Sequence, residues 1–316
     1  MDADWAPDMV GCTWIEVLRM SLTVQNSTSL AQYSRGSHFR AGWRRYLRAG
    51  LPAPALGWLI VLAVVALFGP RLAPYPLMGN LMAANQPPSL IHPFGTNNIG
   101  QDMLTLCMYG VRYTFAIAAG ATAVAFCIGV GLGLLAGMAG GAVDEALMRV
   151  TDFMYSFPSF VVAVLLIQIS GQGAIAIAAV LGVTQWAGFA RLARGLVLSV
   201  RRSDLVESGR AIGASSFFIT MRYVFPHVTY NIIVYTAFFA ANAITLEAML
   251  SIFTNTGPAP PAVSFGELML TSIPNVLGFP WLLVMPVLVF ISILIALVSV
   301  GEGLQAALSP KGLTTF

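Results

Sequence analysis

Residue types able to do chemistry are concentrated between Asp204 and Ser216, a stretch reading Asp-Leu-Val-Glu-Ser-Gly-Arg-Ala-Ile-Gly-Ala-Ser-Ser. Small residues dominate a segment of helix length that is flanked by charge. A solvated helix normally carries long polar side chains there, whereas small ones let another surface come close. Glu207, Ser208, Gly209, Arg210, Ala211, Gly213 and Ala214 therefore form a candidate docking element. No catalytic group is expected anywhere in the chain. Three histidines (His38, His92, His227) and three cysteines (Cys12, Cys107, Cys127) are dispersed, with no CxxC or HExxH spacing, so no metal site is expected. A phosphate-binding loop needs a lysine directly after its glycines. The one lysine, Lys311, follows Leu308-Ser309-Pro310 instead, which excludes ATP binding of that kind. Gly131-x-Gly133-x-x-Ala136 mimics a dinucleotide fingerprint, but it lies in an uninterrupted apolar run rather than at a strand–turn–helix junction.

Those residues must be positioned by apolar helices. Of 316 residues, 57% are hydrophobic and only 9% charged, with a mean hydropathy of +0.79. Soluble domains carry about a quarter charged residues, so lipid is the main solvent of this chain. The net charge of +3, with its basic residues scattered, gives no footprint for nucleic acid. Apolar runs at 51–70, 113–138, 150–170, 173–190, 227–250 and 281–300 each approach the ~20 residues that a ~30 Å hydrocarbon core requires. The expected fold is all-α, a polytopic membrane protein of about six transmembrane helices. Within the second run, Gly129, Gly133 and Gly137 make two overlapping GxxxG steps, a helix-packing face. Within the fifth, Asn242, Thr245 and Glu247 are candidates for a translocation path, because an intramembrane carboxylate is costly unless it has a use. The alternative for Glu247 is a headgroup-level carboxylate paired with a neighbouring helix.

The arginines orient the spans. Six lie before the first span, Arg149 follows the second, six lie between 191 and 222, and Lys311 follows the sixth; Arg71 and Arg112 alone fall on the other side. The positive-inside rule then places both termini in the cytoplasm. The chain divides into a cytoplasmic segment 1–50, a membrane domain 51–312 and a tail 313–316. Segments 71–112 and 253–280 become external loops, with Ser264 accessible outside, and 191–226 an internal loop. The spacing of Ile99, Met103, Leu106 and Gly110 predicts a separate helix over 98–110 lying at the interface. In the first segment, 9–24 has the spacing of a short surface helix but reads rather as a disordered or misassigned start, and the first apolar run starts too late for a secretory signal.

Glu207-Ser-Gly-x-x-x-Gly213, followed by Phe225-Pro226, resembles the EAA loop of permeases of ATP-binding cassette importers, with Ser208 and Gly209 standing for its two alanines. Further segments are similar to the C-type permeases of dipeptide and oligopeptide importers. They are Arg44-Arg45-Tyr46-Leu47-Arg48, His92-Pro-Phe-Gly-Thr-Asn-Asn-Ile-Gly-Gln-Asp102, Glu247-Ala-Met-Leu-Ser251 and Gly301-Glu-Gly-Leu304. The resemblance implies the type I importer permease fold, with Glu207 to Ala214 and Pro226 forming a coupling helix seated in a groove of an ATPase subunit. It also implies a heterodimer with a B-type permease, one or two ATP-binding subunits and an external substrate-binding protein, in the cytoplasmic membrane of a prokaryote. ATP and Mg would sit on the partner subunits, and this chain would bind no cofactor. Asn97 and Gln101 stand where the family has an acidic residue and an arginine, so an external ion pair is expected to be missing. Phe253-Thr-Asn-Thr-Gly257 and Phe265-Gly266 also depart from the pattern, at the outer face. Nickel chelates, glutathione or oligosaccharides are alternative substrates within the class. The rival class is an ion- or proton-coupled secondary transporter.

Overall fold

The computed structural model describes residues 52–171, 173–254 and 262–308, and every regular element among them is a helix. The basic cluster Arg44–Arg48, the 9–24 segment, Asn255–Gly257 and Lys311 lie outside the described residues. The long elements are α1 (Pro52–Leu72), α2 (Met103–Ala139), α5 (Ala174–Val200), α8 (Phe225–Thr254) and α10 (Trp281–Leu308). Between them lie α3 (Gly141–Ser156), α4 (Ser159–Ser170), α6 (Asp204–Ala211), α7 (Ser216–Ile219) and α9 (Phe265–Ser272). Five helices are long and apolar enough to cross a membrane, the one at Ser216–Thr254 combining α7 and α8, and a sixth span is available if α3 and α4 count as one.

That pair corrects the expected continuous span at 150–170. The two helices meet at 85°. Pro158 is the cause, since proline lacks an N–H and pushes its predecessor out of helical space. Phe157 is accordingly extended, at φ −101° and ψ 138°. A second correction concerns 98–110. No separate interfacial helix forms, because Asp102 caps Met103–Ala139 by accepting from the Thr105 N–H at 2.8 Å, and the apolar periodicity belongs to the first turns of α2. At 37 residues α2 is about 55 Å long, so it spans the hydrocarbon and projects beyond it.

α2 and α5 run parallel in close contact. A Cβ placed on Gly133 would lie 2.5 Å from the Ala190 carbonyl oxygen and 2.7 Å from the Ala193 methyl; one on Gly137 would lie 2.6 Å from Val197. Gly129 meets the Trp186 carbonyl in the same way, and from the other helix Gly182 meets Val124. Parallel neighbours require a returning segment, which α3 and α4 supply. The core then fills around Phe189, whose ring meets Phe126 and Tyr235 edge to face and Phe239 at a tilt, at centroid distances of 5.9, 4.8 and 4.9 Å. A second cluster, with Met103, Leu106, Phe265 and Leu282 at its centre, closes the end of the bundle where α2 begins.

Candidate functional site

The Asp204–Ser216 segment folds as one short helix and a turn rather than one continuous helix. α6 ends at Ala211. The Gly213 N–H then donates to the Arg210 carbonyl at 2.9 Å and the Ala214 N–H to the Gly209 carbonyl at 3.1 Å. This pair of bonds is a Schellman motif, which needs a residue in left-handed backbone at the first position beyond the helix. Gly213 has φ +78° and fills that position. Its motif glycine is thus a helix stop, and a Cβ there would meet nothing within 4 Å. Gly209 turns inward instead, onto Tyr223 and Ile219, so it belongs to the support and not to the free surface. Glu207, Ser208, Arg210 and Ala211 are exposed, and Ala214 packs partly against the core.

Just beyond the turn, Ile212, Phe217, Phe218 and Met221 are exposed apolar side chains beside those charges. The chain enters α8 through a widened π-turn, Thr220–Val224, in which the Phe225 N–H reaches back to the Thr220 carbonyl. Pro226 follows at once; its ring cannot donate and would crowd the carbonyl four residues earlier, so the widened turn accommodates it. Phe225-Pro226 therefore builds the joint between the docking segment and the membrane helix.

The three candidate path residues part company. Asn242 is exposed and its Nδ2 donates to Gln185 Oε1 on α5 at 2.7 Å, beside a cavity of about 420 Å³. Thr245 donates back to the Ala241 carbonyl of its own helix. Glu247 does not line that cavity. Its carboxylate is fully buried, and Oε1 accepts from Ser251 Oγ at 3.0 Å and Ser264 Oγ at 2.7 Å, while Oε2 has no partner among the described residues. Ser264 also caps α9, accepting from the Gly266 N–H at 3.1 Å. The Ser264 backbone also lies within hydrogen-bonding reach of the Glu267 carboxyl in the first turn of α9. Burial raises the Glu267 carboxyl above the ordinary range, and that backbone contact acts the other way. Ser264, expected to be accessible, is thus wholly buried, because Glu247 draws α9 onto α8.

This arrangement predicts different outcomes for two substitutions. Glu247→Gln keeps an oxygen that can accept from both serines, so it should cost no more than about 1 kcal/mol of the purified protein's stability. Glu247→Ala loses both serine bonds and should cost about 2–3 kcal/mol. Denaturant unfolding in detergent measures both. Lost transport in Glu247→Gln at unchanged stability would instead assign the carboxylate to the path.

At this same end, opposite the Asp204–Ser216 segment, the residues before α2 form a compact unit. His92 Nδ1 lies 3.0 Å from Asp102 Oδ1, and Thr96 Oγ1 accepts from the Gln86 N–H at 2.8 Å. The expected missing ion pair is replaced by a neutral one, with Asn97 Nδ2 donating to Gln101 Oε1 at 2.8 Å. Gln101 Nε2 also donates to the Leu77 carbonyl at 2.6 Å.

Comparison with known proteins joins these parts. The profile of the family described as "binding-protein-dependent transport system inner membrane component" matches residues 129–312. The chain belongs to that family. The matched residues of this inner membrane component include all of α5 and α8 and the docking segment between them. The dipeptide transport system permease protein DppC of Bacillus subtilis is 34% identical over 277 residues, covering 87% of this chain and 86% of that protein. The glutathione transport system permease protein GsiD of Pectobacterium atrosepticum is 29% identical over 86% of this chain and 91% of its own. The fold matches a solved chain of the MetNI methionine ABC transporter with TM-score 0.52 and 18% identity, over 64% of this chain and 97% of that one. That match is to the fold alone.

Within this inner membrane component, the cavity beside Asn242 was not legible as a site. Gln185, Tyr155, Tyr235 and Gly188 line it with Asn242. The available signal was a pair of amides, Gln185 and Asn242, each placed in a long apolar helix.

Proposed function

We propose that this chain is a transmembrane permease subunit of an ATP-driven importer, with di- and oligopeptides as substrates. The observation that carries the reading is the α6–α7 segment. Exposed Ile212, Phe217, Phe218 and Met221 stand beside Glu207 and Arg210, just past the Schellman stop of α6 and at the start of the Ser216–Thr254 helix. An apolar patch rimmed by charge fits a protein partner better than lipid or water. The partner in this reading is an ATP-binding subunit. Closure of two such subunits on ATP would draw the docking segments together, and the π-turn and Pro226 would pass that movement into α8. This chain would contribute no residue to hydrolysis. A B-type permease would form the other half of the pathway, and an external binding protein would deliver substrate. The peptide reading draws on the dipeptide and oligopeptide permeases among the relatives, and on the uncharged cavity described below.

The test is uptake by vesicles reconstituted with the partner subunits. Peptide uptake should require both ATP and loaded binding protein. Uptake that persists without ATP and collapses with the proton gradient would replace this reading by the secondary transporter.

Orientation follows the arginine distribution, with both termini and α6 cytoplasmic. In a protein otherwise free of cysteine, a cysteine at Leu90 should react with an impermeant thiol reagent added outside intact cells, and one at Ile212 should not. Both positions are open, at 104% and 78% exposure. The reverse labelling would invert the topology.

A further inference from the structure

Within the apolar body of the bundle, the cavity between the α3–α4 break, α5 and α8 stands out for its lining. Tyr155, Gln185, Tyr235 and Asn242 face it together with Phe157 and Phe239. Its volume of about 420 Å³ falls within the ~300–1,000 Å³ range of small-molecule sites. Gln185 and Asn242 lie inside membrane-spanning helices, and Asn242 is exposed. An amide facing hydrocarbon is costly, so this wall faces water or protein instead of lipid.

The wall carries no carboxylate, ammonium or guanidinium. Charges stand beside the lining residue Tyr155, where Arg191 lies over its ring at 4.0 Å from the centre and pairs with Asp152 at 2.8 Å. Those two charges satisfy each other and leave the interior neutral. Inside, one cross-helix bond joins α5 to α8, from Asn242 Nδ2 to Gln185 Oε1 at 2.7 Å. Among the described residues the Asn242 carbonyl accepts no hydrogen bond, so the pair has hydrogen-bonding capacity to spare. Gly188 keeps the α5 backbone open to the Tyr235 hydroxyl, which comes closer than any Cβ would allow. The result is a set of amide and hydroxyl groups between aromatic faces, able to donate and accept without selecting for charge.

We propose that the Gln185–Asn242 pair is the substrate-contacting constriction of this chain, and that it exchanges its own amide–amide bond for bonds to the backbone amides of a passing peptide. This deepens the peptide-importer reading and rests on it. Amide-for-amide exchange conserves the number of hydrogen bonds, so the substrate meets no deep well in which to stall. A neutral lining also treats acidic, basic and apolar side chains alike, as a carrier of peptides of mixed sequence requires.

The experiment uses vesicles holding the complete complex, and trialanine, Ala-Glu-Ala and Ala-Lys-Ala presented by the binding protein. Each variant's uptake is divided by wild-type uptake of the same peptide, which cancels the binding protein's own preference. Asn242→Asp should lower Ala-Glu-Ala uptake at least about tenfold relative to Ala-Lys-Ala, since like charges brought together in a desolvated site repel strongly. Asn242→Leu should lower all three to a similar degree. An Asn242→Asp variant that leaves all three unchanged, or lowers them equally, overturns the proposal while leaving wild-type peptide import standing. Wild-type vesicles that import none of the three overturn the peptide reading and this proposal together. A third variant guards against misfolding. In a chain without its native cysteines, Asn242→Cys should react with a charged thiol reagent and be protected by trialanine during turnover, and no reaction, or no protection, overturns the proposal.

Discussion

Replacing Gly133 with leucine should clearly lower the stability and yield of folded protein, while the same change at Gly131 should be tolerated. The two glycines lie two residues apart on α2 and face opposite ways. A Cβ on Gly133 would sit 2.5 Å from the Ala190 carbonyl oxygen, and one on Gly131 would meet nothing within 4 Å. The obstruction at Gly133 is backbone, which cannot rotate aside as a side chain would. Accommodating leucine means moving α5 bodily away from α2, and the contacts of Gly129 and Gly137 along the same seam would open with it. Overpacking a well-filled core costs about 1–3 kcal/mol, occasionally more, and a seam of four tight contacts belongs at the upper end. At 3 kcal/mol the folded-to-unfolded ratio falls by about a hundredfold. Gly131→Leu adds an apolar side chain on an exposed face and improves helix propensity by ~0.8–1.0 kcal/mol. Size-exclusion yield and denaturant unfolding of the two variants check the pair. Equal behaviour would show that the seam is not closed as described.

The contrast shows what could be read from the chain itself. Helix number and the GxxxG face follow from composition and spacing, because a bilayer forces apolar runs of one length and small residues alone allow close helix contact. Facing was not legible. Gly131 and Gly133 are the same residue type in the same run, and only the position of α5 separates them. Pro158 was present in the expected third span, yet its effect depends on there being room for an 85° turn. Asp102 illustrates a different loss: its capping role is local, but the apolar period that began at Ile99 drew attention away from the cap.

The candidate site divides along the same line. The candidate docking segment stood out because its composition departs from what a solvated loop needs. Its shape was not, since a glycine in left-handed backbone and a glycine in a tight contact look alike in sequence. Gly213 is the first kind and Gly209 the second. Glu247 was conspicuous as a lone carboxylate in an apolar helix, yet the serines that bury it lie 4 and 17 residues further along the chain. The Gln185–Asn242 pair joins residues 57 apart, so neither amide pointed to the other before the helices were in place.

Gly213→Trp should release the ATP-binding partner or uncouple its hydrolysis, and Gly213→Asn should do neither to the same degree. Two causes compete at this position. Its φ of +78° penalises most L residues by about 1–2 kcal/mol, whatever the space around it. Independently, its open side faces outward beside Ile212 and Phe217, where a partner would seat. Asparagine tolerates left-handed backbone better than other L residues, so it keeps the helix stop with little added bulk. Tryptophan adds both strain and a large ring. A third variant, Phe217→Asp, separates the surface from the stop. Phe217 is 74% exposed, so the change removes an apolar contact and adds charge without touching the Schellman bonds. Gly213 lies outside the apolar spans and Phe217 is exposed at the very start of the Ser216–Thr254 helix, so all three should insert and fold. The measurements are co-purification of the ATP-binding subunits and hydrolysis stimulated by loaded binding protein. Near wild-type behaviour of Gly213→Asn with loss in both Gly213→Trp and Phe217→Asp places the partner on this face. Loss in both glycine variants with Phe217→Asp intact would assign the effect to the helix stop alone. Full stimulated hydrolysis in all three would remove α6 and α7 from the coupling path, and with them the observation on which the importer reading rests.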